Sequence, residues 1–357
     1  MSLENIKYVP TLAIRPSEMN GLEQLPGLTK DRMRPLILLA PWTNANSLEK
    51  AVDRIHKAYP DRRYFLELDR DYSISNLEAE AQREFLELLS PENCFGNWRD
   101  FVFRFPNAIP CLQLQDQSRE HIQAQIELTQ QEGRDFCLRI VLARFPPNLE
   151  DVVGVLNEIG TADYTVVLEG GWIENALDLA ARMSGLVSGP LGDLDADIPI
   201  VISCTSMPND FQDFRGCSAI PFTNRELVEQ IARSNNRRRI FYGDWGSTRP
   251  REASGFRQRP LDRIDYPVRR EWIIARNRDE GWSFRDAAME VVQRSGYWED
   301  GLNVWGSNMI LQTIVNPAFG INTPPKNVAS RVNIHLHRQA FYDVDTSDLD
   351  FDDEWQD

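Results

Sequence analysis

Apolar residues in this chain gather into short runs, each followed by a turn or by a stretch whose apolar positions recur every three to four residues. Short bounded runs read as strands and the periodic stretches as helices. Eight runs stand out: Tyr8–Ile14, Pro35–Pro41, Arg63–Asp69, Ile109–Gln115, Phe136–Leu142, Tyr164–Glu169, Ile198–Cys204 and Ile240–Asp244. Helical patterns follow the second to seventh at Ser47–Tyr59, Ser75–Leu89, Ser118–Glu132, Leu149–Ile159, Trp172–Ser184 and Thr223–Arg233. Ser47, Ser75, Ser118 and Thr223 stand where a helix cap belongs, and Glu78 and Glu226 complete capping boxes with Ser75 and Thr223. The first connection, Pro16–Arg34, is short of helical length and reads as irregular.

Strict alternation of strand and helix implies parallel strands joined by crossovers, and eight such units match a closed α/β barrel of the (β/α)8, TIM type. An open doubly wound sheet is the competing arrangement, but no glycine-rich phosphate fingerprint follows the first strand. The barrel is expected within residues 1–248. Residues 249–342 follow as an Arg-rich loop and a helical extension packed on the barrel, and residues 343–357 as an acidic, unfolded tail. In the extension, Tyr266–Arg294 and Gly301–Val315 carry helical periodicity, while Asn333–His337 alternates polar and apolar like a short edge strand.

In a parallel barrel the active site lies at the C-terminal ends of the strands, and alternate side chains line the interior. On the third to seventh strands one parity is apolar throughout, and the other turns polar toward the strand end. The expected mouth therefore carries Glu67, Asp69, Gln113, Gln115, Arg139, Glu169, Ser203 and Thr205, joined by Arg15 and Glu18 from the first strand. Tyr242 and Asp244 are placed there from the eighth, with Phe241 turned toward the helices. Charges at such a site are either wet and functional or paired with one another. Arg139 is thus either a structural cation satisfied by Glu67 and Glu169 or the receptor of an anionic ligand.

Glu67 and Asp69 share a face, and with Glu169 or Asp244 across the mouth they offer oxygen ligands to Mg²⁺ or Mn²⁺. The same carboxylates, Glu67, Asp69, Glu169 and Asp244, are the candidates for catalytic acid/base work. No histidine falls on a strand end: His56 and His121 lie on expected helices, and His335 and His337 lie in the extension. Ser203, Cys204 and Thr205 lack a nucleophile elbow. Arg249, Arg251, Arg257 and Arg259 stand beyond the eighth strand, where they can overhang the mouth, with Trp245 and Phe256 among them for base stacking.

The formal net charge of −15 disfavours nonspecific nucleic-acid binding, yet it averages an arginine-crowded stretch with residues 343–357, which hold eight acids and no base. Leu349, Phe351 and Trp355 among those acids suit a docking peptide. The five cysteines form no metal-ligand spacing, the N-terminus has no apolar core of a secretory signal, and no apolar run is long enough to span a membrane. A cytoplasmic protein without disulfides or structural zinc is expected.

The segments YVPTLAIRPSEMNGLEQL, PLILLAP and RYFLELD, the LRI of the fifth strand and YGDWGS together resemble the phage beta protein family and its bacterial relatives. The likeness runs through most of Tyr8 to Trp245 and more faintly to NIHLH; members often carry Lys where Arg15 stands, which puts a lysine-specific role at that position in doubt. The resemblance implies a barrel from phages and from mobile or defence gene neighbourhoods, and it implies no settled activity. Two functions remain open. One is a mouth that binds or acts on a phosphorylated or nucleotide-like ligand, as a metal-dependent phosphoester or nucleotide hydrolase if it is an enzyme. The other is a non-enzymatic module of phage–host conflict that contacts a protein partner through the extension and tail.

Overall fold

The computed structural model describes residues 3, 5–144, 149–208, 210–211, 213–251 and 262–344. Residues 252–261 and 345–357 lie outside it, and with them Phe256, Arg257, Arg259 and nearly all of the acidic tail. Eight parallel strands form the centre. They are β1 (Val9–Ala13), β2 (Leu36–Leu39), β3 (Tyr64–Leu68), β4 (Ala108–Pro110), β5 (Phe136–Val141), β6 (Tyr164–Trp172), β7 (Pro199–Thr205) and, after the intervening β8 (Arg215–Pro221), β9 (Arg239–Asp244). The sheet runs β4-β3-β2-β1-β9-β7-β6-β5 and curls back on itself. A parallel bridge between Cys111 and Cys137 joins its two edges, with the Leu112 amide donating to the Cys137 carbonyl at 2.9 Å. The arrangement is a nearly closed TIM-like α/β barrel.

The helices are α1 (Pro16–Glu23), α2 (Gly27–Asp31), α3 (Glu49–Ala58), α4 (Glu80–Leu88), α5 (Glu92–Val102), α6 (Arg119–Gln131), α7 (Leu149–Ile159), α8 (Ala176–Ser188) and α9 (Thr223–Ser234). The first connection is therefore helical rather than irregular, with Met19 and Leu22 buried against the barrel. Of the expected caps, Ser118 accepts the His121 amide at 3.3 Å. Ser75 lies ahead of α4, which starts from Ala79, and Thr223 is already inside α9.

Beyond the barrel, β10 (Ile264–Pro267) and β11 (Glu271–Asn277) form an antiparallel hairpin that β8 extends to three strands. The helical reading of Tyr266–Arg294 is corrected up to Asn277, after which α10 (Phe284–Met289) and one π-helical turn complete the segment. The physical reason is that β11 is covered on both faces. Trp272 and Ile274 pack with Met207 and Phe222, whereas Ile273 and Ala275 pack with α10. A strand buried on both sides shows no alternation by which to recognise it.

After α11 (Trp305–Val315) the chain ends in α12 (Pro324–Ala340), which contains Asn333–His337; the expected edge strand is a helix. Its alternation misled because all five residues are buried. Val332 and Leu336 belong to the barrel core, and Ile334 belongs to the core under the three-stranded sheet. Asn333 joins the neighbouring helices, donating to the Gly21 carbonyl at 3.0 Å and accepting the Gly306 amide at 2.9 Å. A Cβ at Gly21 would sit 2.7 Å from the Ala329 carbonyl, so glycine permits α1 and α12 to approach this closely. Among the described residues, no helix is long and apolar enough to cross a membrane.

Candidate functional site

The barrel interior is apolar at its base. Val9, Leu36, Phe65, Ile109, Cys137, Val167 and Val201 pack there, with Phe241 against them. One layer higher it becomes polar, with Thr11 and Ser203 hydroxyls 3.3 Å apart. Above them β3, β4, β5 and β6 deliver Glu67, Gln113, Arg139 and Glu169. Their parity partners Leu66, Leu112, Leu138 and Leu168 lie in the core beneath the helices, as does Ile202 of β7.

Glu67 is held by Gln113, whose Nε2 donates at 2.7 Å, while Arg70 Nη2 donates to the same amide's oxygen at 2.6 Å. Gln113 is fixed in turn by two bonds between its backbone and Gln125, at 2.9 and 3.0 Å. Glu169 Oε1 accepts the Trp245 indole at 2.7 Å and the Gly171 amide at 2.8 Å, whereas its buried Oε2 has no hydrogen-bond partner. Burial raises both carboxyls above the ordinary glutamate value, against the pull of the nearby Arg139 charge. Glu18 is raised in the same way, burial outweighing Arg15 beside it.

Arg139 itself makes no ion pair with either carboxylate among the described residues. Its guanidinium lies 5.9 Å from the centre of the Trp245 ring, and its buried Nε is unpartnered. Arginines crowd the rim. Arg15 Nη1 bonds Glu18 at 3.1 Å and the Arg249 carbonyl at 3.4 Å, Arg251 Nε bonds Asp69 at 2.5 Å, and Arg144 pairs with Asp71. Arg70 and Arg144, on the loops after β3 and β5, were missed in the sequence; lone loop arginines carry no pattern that marks them.

Two expected members of the mouth are elsewhere. Tyr242 and Asp244 point away from the interior, and the inner parity of β9 is Phe241, Gly243 and then Trp245. A Cβ at Gly243 would come within 2.8 Å of the Val9 carbonyl and 2.9 Å of Val201, which leaves room only for glycine on that face. Asp244 instead meets α12 and α9. It accepts Tyr8 and Tyr242 hydroxyls, the Gly246 amide at 2.8 Å and Asn224 Nδ2 at 3.4 Å, and it pairs with His335 Nε2 at 2.7 Å. Polar parity marks the mouth-facing side on β3 to β6, but on β9 the polar partners come from the helix layer.

Glu67 and Asp69 also part company, the first engaged by Gln113 and the second by Arg251. Among the described residues no group of three His, Cys, Asp or Glu side chains is placed to hold a metal ion. The mouth thus brings the Arg139 guanidinium near two buried carboxyls, Glu67 and Glu169, whose protonated forms burial favours.

A family model described as Beta protein matches residues 8–341, the barrel and its extension together. The chain belongs to the Beta protein family. It is 26% identical over 348 residues to Protein beta of Enterobacteria phage P4, covering 94% of this chain and 93% of that protein. The match takes in α12 as well as the strands, so the mouth and the helix that closes the barrel's flank lie within one matched unit.

Proposed function

We propose that the barrel mouth binds a small ligand bearing a phosphoryl or comparable anionic group, and that Arg139 is its receptor. The observation that carries this reading is the guanidinium itself. It stands inside a barrel, over Trp245, with a buried Nε that bonds nothing. A cation so placed is stabilised by an anion in bidentate contact. Glu169 Oε2, equally without a partner, and Glu67 would supply a hydrogen-bond donor or a proton, since burial favours their neutral forms. Arg251 and Arg15 would add positive charge from the rim. Phage–host conflict as the setting belongs to the same proposal, supported by the likeness to a phage protein.

The test is a thermal-shift screen of nucleotides and sugar phosphates, with and without Mg²⁺ or Mn²⁺, followed by calorimetry on any hit. A bound ligand raises Tm by mass action. The shift should vanish in Arg139→Met and weaken in Arg139→Lys. A ligand whose binding survives both substitutions would refute the assignment.

A further inference from the structure

A second concentration of guanidinium groups lies outside the mouth, where β10, β11 and α12 meet. The register of the hairpin, Ile264 opposite Ala275, sets Arg263 across from Arg276. Arg331 reaches the same place from α12. One carboxylate serves two of them. Asp265 accepts Arg263 Nε at 2.8 Å and Arg331 Nη1 at 2.5 Å, and also Asn327 Nδ2 at 3.0 Å. None of these bonds comes from Arg276.

Arg276 is only 4% exposed, and it donates Nη1 to the Phe211 carbonyl. Its Nε and Nη2 have no partner. Those two nitrogens form the edge of a guanidinium whose parallel N–H bonds match two oxygens of a phosphate or carboxylate. Arg331, 5% exposed, likewise leaves Nε unmet. Arg278 adds positive charge around Arg276, as does Arg215, which is itself paired with Asp279 at 2.7 Å; Asp210 is the anion that opposes them. Burying guanidinium donors unpaired is costly, and among the described residues Arg263, Arg276 and Arg331 face two carboxylates, Asp265 and Asp210. Of the three, Arg263 is partly exposed, and its guanidinium stacks at 3.7 Å on the Phe211 ring.

We infer that this cluster is an oxyanion site for a phosphate group, seated on the Nε/Nη2 edge of Arg276 and completed by Arg263 and Arg331. A tetrahedral dianion supplies both the charge and the paired oxygens that the three arginines lack. The site is independent of the mouth and stands or falls separately from the ligand proposed there.

The experiment uses the full chain and inorganic phosphate, with ionic strength held constant by chloride. Equilibrium dialysis with radiolabelled phosphate and a thermal-shift titration are run on the wild type, Arg276→Met, Arg276→Lys and Arg139→Met. Saturable binding is expected in the wild type and in Arg139→Met. Affinity should fall by about tenfold or more in Arg276→Lys, which keeps the charge and loses the paired donors, and further in Arg276→Met. If Arg276→Met fails to fold, the lysine variant decides. Absence of saturable binding in the wild type overturns the site, as does undiminished affinity in Arg276→Lys. Binding that disappears in Arg139→Met while persisting in the Arg276 variants also overturns it, by moving the ion to the mouth.

Discussion

His335 Nε2 and Asp244 Oδ2 lie 2.7 Å apart, both residues buried, one on the last helix and the other at the end of the last barrel strand. They are 91 residues apart in sequence, so the contact ties α12 to the barrel. Burial works against the Asp244 charge, but His335 and the two tyrosine hydroxyls outweigh it and hold the carboxyl below its ordinary range. Asp244→Leu would strand Tyr8, Tyr242 and His335 without an acceptor. The expected loss is roughly 3–5 kcal/mol, the range for breaking a buried pair from one side. Urea unfolding measures it, and a loss below about 1 kcal/mol would contradict the role of Asp244 as the anchor of α12.

The mouth carboxyls should behave in the opposite sense. Burial raises Glu169 above 4.5, its ordinary value, so the folded protein takes up that proton more readily than the unfolded chain. Its contribution is therefore most favourable in acid and declines as pH rises from that value through the folded one. Glu169→Gln keeps an acceptor for the Trp245 indole and removes the ionisation. The variant should be neutral to stabilising at pH 7 by up to about 1 kcal/mol, with an advantage that shrinks toward pH 4. Unfolding curves at the two pH values check this. A variant clearly less stable than wild type at pH 7 would mean that the ionised carboxylate supports the fold through Arg139.

Much of this was legible in the chain, and the failures have physical causes. Strands β3 to β7 declared their inner faces because each pairs an apolar outer parity with one that turns polar toward the mouth; Leu138 against Arg139 is the clearest case. That rule broke at β9, where Asp244 is polar on the helix side, because α12 brings His335 there from the far end of the chain. It broke again at Asn333–His337, where buried asparagine and histidine occupy interior sites of a helix wrapped on all sides. β8 escaped notice because it is half exposed, and nothing in Arg215–Pro221 forms an apolar run. Partnering across long sequence separations decides such cases, and local pattern does not contain it.

Arg225 is clasped between two tyrosine rings, 3.6 Å from the centre of Tyr242 and 3.8 Å from that of Tyr342. Its Nε also donates to Gln339 Oε1 at 3.0 Å, so it holds the end of α12 against α9. Tyr342→Ala should cost about 1 kcal/mol, because it removes one face of a partly buried cation–π sandwich and opens the other to water. Hydrogen exchange should then report faster opening near residues 337–342 with β1 and β9 unaffected. Equal acceleration throughout the barrel would show that this end does not open as a local unit.

His337 gives the acid limb of stability its shape. Burial, with Arg338 beside it, lowers the ring from 6.5 to about 4. Nδ1 lies 2.9 Å from the Thr29 hydroxyl, and Phe341 packs against the ring at 5.1 Å. A neutral imidazole is thus required in the folded state, whereas the unfolded chain accepts a proton near 6.5. Stability is whole above that value and falls as pH drops, until the folded state also protonates near 4. Over that span the loss is roughly 3 kcal/mol, from 1.36 kcal/mol for each unit of difference. Asp244 adds its own loss only below the ordinary aspartate range, so the two windows are separate. His337→Gln, with an amide able to reach Thr29, should flatten the profile between pH 6.5 and 4 and leave the steeper fall below it. Denaturant midpoints at half-unit intervals of pH decide the matter. An unchanged slope in the variant would assign the acid limb to other groups.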